Sequence, residues 1–275
     1  MEIQSSLSRT TARLGGTRRV AFAGLVIALI AIGAEPAFAA AENRISITAN
    51  SPSSSATTAA VAATTSSPSP ATSTSTSAVT SRTLAVPIYY QEYTLSCEES
   101  ALRMALASEG INVTDAQVLQ IIGADTTSAY VDSAGLHWGD PYTSFVGSPS
   151  GSQVTRTGYG TYYPTIAKAA TALGGTVLAA GEGITPAAVY ADVLGGHPVV
   201  AWVTYQWVSA QRSDYTAFDG KVIPYAGPVE HAVTVVGVTS TDVIINNPDF
   251  GREVISKSVF EASYSTYNNM AVVLK

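Results

Sequence analysis

Residues 50–82 consist almost entirely of Ser, Thr, Ala, Pro and Val, and this limits where the chain can fold. A segment with so few large apolar side chains buries too little surface to offset the conformational entropy lost on folding. We therefore predict that residues 40–82 form a disordered tether. Folding is then confined to residues 83–275, which is a normal size for one domain with a substantial core.

The first 39 residues have the features of an export signal. Arginines are concentrated before position 20, residues 20–34 form a short apolar core, and the small residues Ala37 and Ala39 flank Phe38 as in a cleavage site. A membrane-spanning helix needs roughly 20 apolar residues, more than this core supplies. We predict a cleaved signal peptide at residues 1–39 and no stable membrane insertion afterwards. The expected location is extracellular or associated with the cell wall.

Charge and composition exclude several kinds of partner. The net charge of −6 includes the Arg-rich N-terminus, so the remainder of the chain is more acidic still. Nucleic-acid-binding domains instead have basic patches, and we predict no nucleic-acid partner. The three histidines and one cysteine lack the spacing of metal ligands. We therefore predict no metal and no other cofactor.

The single cysteine, Cys97, is the most informative residue. In an exported domain a lone thiol is buried as a small apolar group, linked to another molecule, or reactive. Ser96 and Glu99 have the spacing of a capping box, and the apolar residues after them repeat at helical spacing. Cys97 is thus predicted at the first position of a helix, where free backbone N–H groups lower a thiol pKa. Glu98 and Glu99 oppose this effect, so a cationic partner is required.

Among the histidines, His231 has the most suggestive position. It opens the alternating, β-branched run 231–238, which predicts a buried strand that would hold the imidazole on a rigid element. A capping histidine at a strand start is the alternative interpretation. His137 and His197 lie in turn-rich segments, and we expect neither to take part directly in chemistry.

A second predicted strand, 243–246, follows the strand of His231 and ends in polar residues. If the two strands pair as a hairpin, Asn247 or Asp249 returns to the start of the first strand. Either side chain could then hold the second ring nitrogen of His231 and fix its tautomer.

The order and spacing of these residues fit a papain-type arrangement, in which the His and Asn follow the Cys by ~130–150 residues. His231 follows Cys97 by 134 residues and Asn247 follows it by 150. An ion pair between Cys97 and His231 would supply the cation that the thiolate requires.

Several further motifs occur in order along residues 84–275. They are Val86-Pro87-Ile88-Tyr89-Tyr90-Gln91, Ser96-Cys97-Glu98, Trp138-Gly139-Asp140-Pro141, Gly196-His197-Pro198, Glu230-His231-Ala232-Val233 and Asn247-Pro248. Together they resemble the bacterial papain-like peptidase domains related to the double-glycine leader peptidases of bacteriocin exporters.

This resemblance implies roles for particular residues. Gln91, six residues before Cys97, would form the oxyanion hole together with the backbone N–H of Cys97. The third member of the catalytic set is often an Asp before a Pro in such proteins. Here Asn247 occupies that position, which keeps the orienting role but stabilises an imidazolium less, and Asp249 is the fallback.

The order of predicted elements gives an α+β, papain-like fold, in which N-terminal helices carrying Cys97 pack against an antiparallel β-sheet bearing His231. After the helix of Cys97, the predicted helices are 114–122, 164–173 and 186–194. The predicted strands are 199–203, 231–238, 243–246 and 270–274.

These features predict a secreted cysteine hydrolase, a peptidase that cleaves amide bonds with Cys97, His231, Asn247 and Gln91. The expected partner is a peptide or protein substrate, with cell-wall peptide as a further candidate. A non-catalytic secreted binding module with a papain-like cleft, a peptidoglycan-directed hydrolase, and a surface protein crosslinked through Cys97 are the alternatives.

Overall fold

The computed structural model describes residues 80–275. The predicted signal peptide, residues 1–39, and all of the predicted tether before residue 80 lie outside the described residues. The sheet already includes Arg82, the last residue assigned to the tether, so pairing begins one residue before the predicted boundary. None of the helices in residues 80–275 has the length and apolar character needed to cross a membrane.

Several of the helices begin at side-chain caps. Thr114 and Gln117 form a capping box at the start of α2, and Thr185 caps α4 by accepting the N–H of Ala188. In the described part of the chain the α-helices are Cys97–Ser108 (α1), Asp115–Ile122 (α2), Tyr163–Ala172 (α3), Pro186–Gly195 (α4) and Lys257–Ser265 (α5), and a short 3-10 helix spans Tyr205–Trp207.

The strands of residues 80–275 form one large and two small sheets. In chain order they are Arg82–Thr83 (β1), Ala124–Asp125 (β2), Tyr130–Asp132 (β3), Gly135–Trp138 (β4), Phe145–Val146 (β5), Val177–Gly181 (β6), Val199–Thr204 (β7), Ser213–Ala217 (β8), Val222–Tyr225 (β9), Glu230–Val238 (β10), Asp242–Asn247 (β11), Gly251–Ser256 (β12) and Ala271–Leu274 (β13).

The large sheet is antiparallel and has the strand order β12-β11-β10-β7-β13-β6, with β1 also paired to β10. β10 therefore lies in the interior of the sheet, between β11 and β7. The small sheets are the parallel pair β2–β5 and the four-stranded order β3-β4-β8-β9. Pairing with three strands, β1, β7 and β11, makes β10 rigid. This rigidity matters because β10 carries His231.

Strand β7 shows how the large sheet is covered on both faces. Val200 and Trp202 pack into the core shared with α1 and α3, whereas Val199, Ala201 and Val203 pack into the core shared with α4 and α5. Successive side chains of a strand point to opposite faces, so a strand covered by helices on both sides is apolar throughout. All residues of β7 are accordingly buried.

The predicted α+β, papain-like fold is confirmed, since α1 with Cys97 packs on β10 with His231. The predicted helices and strands occur with ends that differ by a residue or two. The elements not predicted from the sequence are β1, β6, β12, α5 and both small sheets. His137, predicted in a loop, lies on β4, where its ring stacks on Tyr130 at 4.6 Å and its Nε2 lies 3.1 Å from Asp132.

Candidate active site

Cys97 is the first residue of α1, as the sequence indicates, but the expected capping box is absent. The hydroxyl of Ser96 donates to Asp115 Oδ2 at 2.6 Å and makes no capping bond, and both carboxyl oxygens of Glu99 are buried without a hydrogen-bond partner. Asp115 is fully buried and is paired with Arg103 at 2.7 Å. Ser96 has ψ 37° rather than the extended backbone of a usual N-cap, and its oxygen accepts no helix N–H, so the capping-box prediction is wrong.

His231 is the second residue of β10, and its ring is held by the neighbouring strand. The antiparallel pairing of β10 with β11 brings Asn247 beside it, and His231 Nε2 lies 2.9 Å from Asn247 Oδ1. Asp249, the alternative, lines the same cleft, and its backbone N–H donates to the same Oδ1 at 2.9 Å. Asn247 is therefore the side chain that contacts the imidazole.

Cys97 and His231 line a single cleft of about 340 Å³. Both residues are almost completely buried, with 4% of the surface of Cys97 and 3% of that of His231 exposed, so a ligand reaches them only through this cleft. The walls include Leu95, Gln153 and Tyr205. The structure thus brings together a nucleophile and an imidazole that are 134 residues apart in sequence.

Gln91 also lines the cleft, at the end occupied by Cys97. Its side-chain Nε2 donates to the carbonyl of Thr94 at 2.8 Å, and its backbone N–H donates to the carbonyl of Pro248 at 3.1 Å. The second bond ties the Gln91 segment to the residue after Asn247. One amide hydrogen of Gln91 is thereby used within its own loop, and the other remains for a ligand.

The electrostatic surroundings of Cys97 differ from the sequence-based expectation. The thiol donates to Glu98 Oε2 at 3.2 Å. Burial raises the pKa of Cys97 well above its ordinary value, Glu98 and Glu230 raise it further, and the backbone N–H of Ala232 acts in the opposite direction. The predicted lowering of the thiol pKa is wrong for the resting site, because burial and two carboxyl groups outweigh the helix N-terminus.

The pKa of the His231 imidazole shifts in the opposite direction to that of the Cys97 thiol. Burial lowers the pKa of His231, while the hydrogen bond to Asn247 Oδ1 and the charges of Asp249 and Glu253 raise it. A thiol with a raised pKa beside an imidazole with a lowered pKa favours the uncharged pair at rest. Burial of both groups therefore opposes the expected thiolate–imidazolium pair.

Three fully buried carboxyl groups surround the nucleophile: Glu98, Glu99 and Glu230. Burial raises the pKa of Glu98 to about 7, although the N–H of Thr161, which donates to Oε1 at 2.6 Å, opposes this shift. Burial and the charge of Glu98 raise the pKa of both Glu99 and Glu230. From the sequence, Glu98 was expected to act only as an opposing charge, Glu99 as an opposing charge and a capping residue, and Glu230 had no assigned role.

Within residues 80–275, one group has the spacing of metal ligands: the Sγ of Cys97 and a carboxylate oxygen from each of Glu98 and Glu230 lie within 4.8 Å of one another. The same atoms already have proton-mediated partners. Cys97 donates to Glu98, and Gln153 Nε2 donates to Glu230 Oε2 at 3.2 Å. Protonation of buried carboxyl groups removes the charge that a cation would otherwise balance.

The backbone around the cleft is shaped for these side chains. Gly160 has φ +152°, and a Cβ at this position would lie 2.2 Å from Glu98 Oε1 and 2.9 Å from Glu230 Oε2. Only glycine lets the chain pass this close to the two carboxyl groups. The ring of Tyr205 meets that of His231 edge-on at 5.3 Å, and the two residues after Tyr205 have positive φ.

The loop between Gly147 and Gly158 forms the opposite wall. Gln153 joins this wall to the strand of the histidine, because its Nε2 donates to the carbonyl of Glu230 at 3.0 Å and its Oε1 accepts the N–H of Glu230 at 3.1 Å. Val154 stands at the rim with 77% of its surface exposed. No sequence motif signalled Gln153, since its role depends on a partner 77 residues away.

A thiol at the start of a helix, facing an imidazole on an antiparallel sheet across one cleft, defines the class of papain-like cysteine peptidases. The model of the Peptidase_C39-like family matches residues 83–272, and the chain belongs to this family. It is a cysteine peptidase by this membership, and the resemblance inferred from the sequence motifs is confirmed.

One solved structure agrees with this assignment at the level of fold, and a second, more distant one is also similar. A crystal structure described as a C39-like peptidase from Bacillus anthracis superposes with a TM-score of 0.59 at 21% identity, covering 70% of this chain and 94% of that one. The peptidase domain of Streptococcus ComA, described as a bifunctional ABC transporter of a quorum-sensing pathway, gives a TM-score of 0.41 at 15% identity, covering 68% and 94%. No curated protein matches the chain.

Proposed function

We propose that this cysteine peptidase is exported and cleaves peptide bonds by acyl transfer through Cys97, with His231 as the proton carrier and Asn247 as its orienting partner. The observation that supports the proposal is the position of Cys97 and His231 on one cleft, with Asn247 Oδ1 against the Nε2 of the imidazole at 2.9 Å. This contact leaves Nδ1 of the ring as the free proton acceptor.

The first step transfers the thiol proton of Cys97 to His231 Nδ1 while Sγ attacks the carbonyl carbon of the substrate. Because the resting thiol donates to Glu98, it must first rotate away from this carboxyl group. The carbonyl π electrons move to oxygen and form an oxyanion. In this proposal the backbone N–H of Cys97 and the second amide hydrogen of Gln91 stabilise it, and the support is that Cys97 lies at a helix start and both residues line the cleft.

The second step breaks the C–N bond. The imidazolium of His231 donates its proton to the leaving amine, and a thioester with Cys97 remains. A water molecule then gives a proton to His231 and attacks the thioester carbonyl. Collapse of this second intermediate releases the acid and returns the proton from His231 to the sulfur. Over the cycle one peptide bond and one water are consumed, and the enzyme is regenerated.

The proposal includes export and an extracellular or cell-wall location, supported by the charged start, apolar core and small-residue cleavage pattern of residues 1–39. The family supports a peptide or protein substrate, and cell-wall peptide is a specific candidate for an exported enzyme. Expression in a bacterial host followed by N-terminal sequencing of the secreted product tests this part. A product beginning at Ala40 is expected, and retention of the full chain in the cell would contradict export.

The mechanism is tested with the exported protein and the variants Cys97→Ala and His231→Ala. Incubation with a peptide library and with purified peptidoglycan, followed by mass spectrometry, identifies any cleaved bond. We expect cleavage by the wild type and none by either variant. Binding of peptides without cleavage by the wild type, undiminished in Cys97→Ala, would instead establish the non-catalytic binding module.

A further inference from the structure

Asn247 has three hydrogen-bond partners, and together they leave its amide no freedom to rotate. Its Oδ1 contacts His231 Nε2 at 2.9 Å and accepts the backbone N–H of Asp249 at 2.9 Å. Its Nδ2 donates to Glu253 Oε2 at 2.6 Å. Glu253 lies on β12, the edge strand next to β11, so three adjacent strands contribute to this chain of contacts.

The orientation of the Asn247 amide is set by two partners, the backbone N–H of Asp249 at Oδ1 and the carboxylate of Glu253 at Nδ2. A carboxylate can only accept hydrogen bonds, so it selects the NH2 end of the Asn247 amide. The carbonyl end must then face the imidazole, where it can only accept. His231 Nε2 therefore carries the proton, and Nδ1 is left with its lone pair for the thiol. The hydrogen bonds from His231 to Asn247 and from Asn247 to Glu253 thus fix one tautomer of His231.

Glu253 also supplies a charge that Asn247 lacks. A neutral amide can orient an imidazole but compensates the positive charge of an imidazolium only weakly, whereas a carboxylate does so directly. Glu253 raises the pKa of His231 through its charge, against the larger effect of burial. The carboxylate of Glu253 is one hydrogen bond further from the imidazole than the carboxylate in a Cys-His-Asp arrangement. It acts on the ring of His231 through the amide of Asn247, which lies between them.

We infer that Glu253 is a positioning residue of the active site, the fourth member of a Cys97–His231–Asn247–Glu253 chain, which fixes the tautomer of His231 and stabilises its protonated form during catalysis. The inference rests on the proposed acyl-transfer function. The other titratable groups that face His231 are Cys97 from α1, Tyr205 after β7 and Asp249 after β11. Of these, none holds the NH2 end of Asn247, which is the contact particular to Glu253.

Three substitutions separate orientation from charge. Glu253→Gln retains an oxygen that can accept from Asn247 and removes the charge. Glu253→Ala removes both. Asp249→Asn is the matched control, since it removes a nearby charge and leaves the side-chain contact with Asn247 intact. We expect Glu253→Gln to shift the acidic limb of the kcat/KM profile to lower pH and to lower kcat, because the imidazolium is less stabilised.

We expect Glu253→Ala to lose more activity than Glu253→Gln, about 10- to 100-fold in kcat/KM, the range of a hydrogen bond to a charged group. The loss should appear in kcat more than in KM, because Glu253 does not line the cleft. Asp249→Asn should shift the acidic limb without the additional loss that follows when the amide is free to rotate.

An exchange of charge between the two positions provides the sharpest test. Asn247→Asp alone places a second carboxyl group 2.6 Å from that of Glu253 and should lose activity through repulsion. Asn247→Asp combined with Glu253→Gln restores one carboxylate and one amide in reversed order, and it should recover most of the activity. The inference is overturned if Asn247→Asp is as active alone as in the combination.

A measurement without substrate keeps this inference separate from the proposed function. Nitrogen-15 NMR of the imidazole reports whether the proton resides on Nε2 or Nδ1. We expect a single Nε2–H tautomer in the wild type and a mixture in Glu253→Ala, with folding verified by circular dichroism. An inactive Cys97→Ala together with wild-type kinetics and a single tautomer in Glu253→Ala would overturn the role of Glu253 alone. Full activity in Cys97→Ala would overturn the proposed function.

Discussion

The thiol of Cys97 donates its hydrogen bond to the side chain of its immediate neighbour, with Sγ 3.2 Å from Glu98 Oε2. The other oxygen of Glu98 accepts the backbone N–H of Thr161 at 2.6 Å, so the carboxyl group is held on both sides. The nucleophile is therefore restrained in its protonated form by a group with a pKa of about 7. The reactivity of the thiol should depend on Glu98 as much as on His231.

Glu98→Gln should make Cys97 a stronger nucleophile at neutral pH. The new amide must place its oxygen toward the N–H of Thr161, and its NH2 group then faces Sγ and can donate to a thiolate. The substitution also removes a charge that raises the thiol pKa. We expect iodoacetamide alkylation at pH 7 to be faster by about tenfold or more, the effect of one pKa unit.

The matched control for this experiment is Glu109→Gln, at the opposite end of α1. It removes one carboxylate from the same helix and leaves the cleft unchanged, and its alkylation profile should match that of the wild type. An alkylation midpoint in Glu98→Gln no lower than in Glu109→Gln would show that the contact with Glu98 does not restrain the thiol.

Peptidase activity should follow a broad bell-shaped dependence on pH. The active form of the Cys97–His231 pair carries one proton. Activity falls on the acidic limb, where a second proton binds, and on the basic limb, where the one proton is lost. Burial lowers the pKa of His231 from its ordinary value of 6.5, so the acidic limb should lie below pH 6.5. Burial and the carboxyl groups raise the pKa of Cys97, so the basic limb should lie above pH 9.0.

The kcat/KM profile from pH 4 to pH 11 checks this expectation, with the stability of the enzyme verified at each pH. A plateau centred near neutrality with an acidic midpoint well above 6.5 would contradict the lowered pKa of His231. A basic limb far below pH 9 would indicate that a thiolate–imidazolium pair in the free enzyme overrides the effect of burial on the thiol.

The folded protein should be more stable in mild acid than at slightly alkaline pH. Glu98 has a folded-state pKa of about 7 against an ordinary value of 4.5, so it binds a proton more tightly in the folded state. Its contribution is present in full below pH 4.5 and is lost as pH rises through 7. Linkage gives a loss on the order of 3 kcal/mol for this group, and Glu99 and Glu230 act in the same direction.

Thermal unfolding at pH 5 and pH 8 measures this difference. We expect a higher Tm at pH 5 for the wild type and for Glu109→Gln, and a smaller difference between the two pH values for Glu98→Gln. Equal pH dependence in Glu98→Gln and the wild type would mean that other groups control the stability in this range.

Gly160→Ala should destabilise the fold by several times the usual cost of a strained backbone. The added Cβ would lie 2.2 Å from Glu98 Oε1, in addition to the strain of φ +152°. Gly174→Ala is the matched control, because Gly174 also has positive φ, at +92°, and has no atom within 4 Å of the added Cβ. We expect a loss of about 1 kcal/mol in the control and about 3 kcal/mol or more at Gly160, measured by urea unfolding.

If the two glycine variants lose equal stability, the close approach of Gly160 to Glu98 is relieved without cost. In that event Glu98 is mobile enough to move aside, and its restraint on the thiol of Cys97 would be weak as well. The alkylation of Glu98→Gln and the unfolding of Gly160→Ala therefore both test how firmly the side chain of Glu98 is held.

The sequence predicted those parts of the site that depend on local patterns. Cys97 begins a helix because an apolar helical stripe follows it, and His231 opens a strand because β-branched residues alternate after it. The hairpin of β10 and β11 then places Asn247 beside the ring with no further information. Order and spacing along the chain were sufficient for these three residues.

Other parts depend on contacts that no local pattern encodes. Ser96 and Glu99 have a capping-box spacing, but the Ser96 hydroxyl is turned toward Asp115, 19 residues away, and accepts no helix N–H. The thiol pKa was expected to be low from the helix end, and complete burial reversed its direction. Strand β6 was missed because its residues Val177–Gly181 show no alternation between apolar and polar side chains and are mostly exposed. The role of Glu253 could be inferred only from its hydrogen bond with Asn247, which no local sequence pattern indicates.

The pairing of β1 with β10 has a consequence for how the enzyme would work when held at one end. Arg82 pairs with Val238, at the far end of the strand that begins beside His231. The rise of a strand puts roughly 24 Å between these two ends of β10. Arg82 thus enters the sheet at the end of β10 farthest from His231. An enzyme attached through its N-terminal segment would be held at the end of this strand that is remote from the catalytic imidazole.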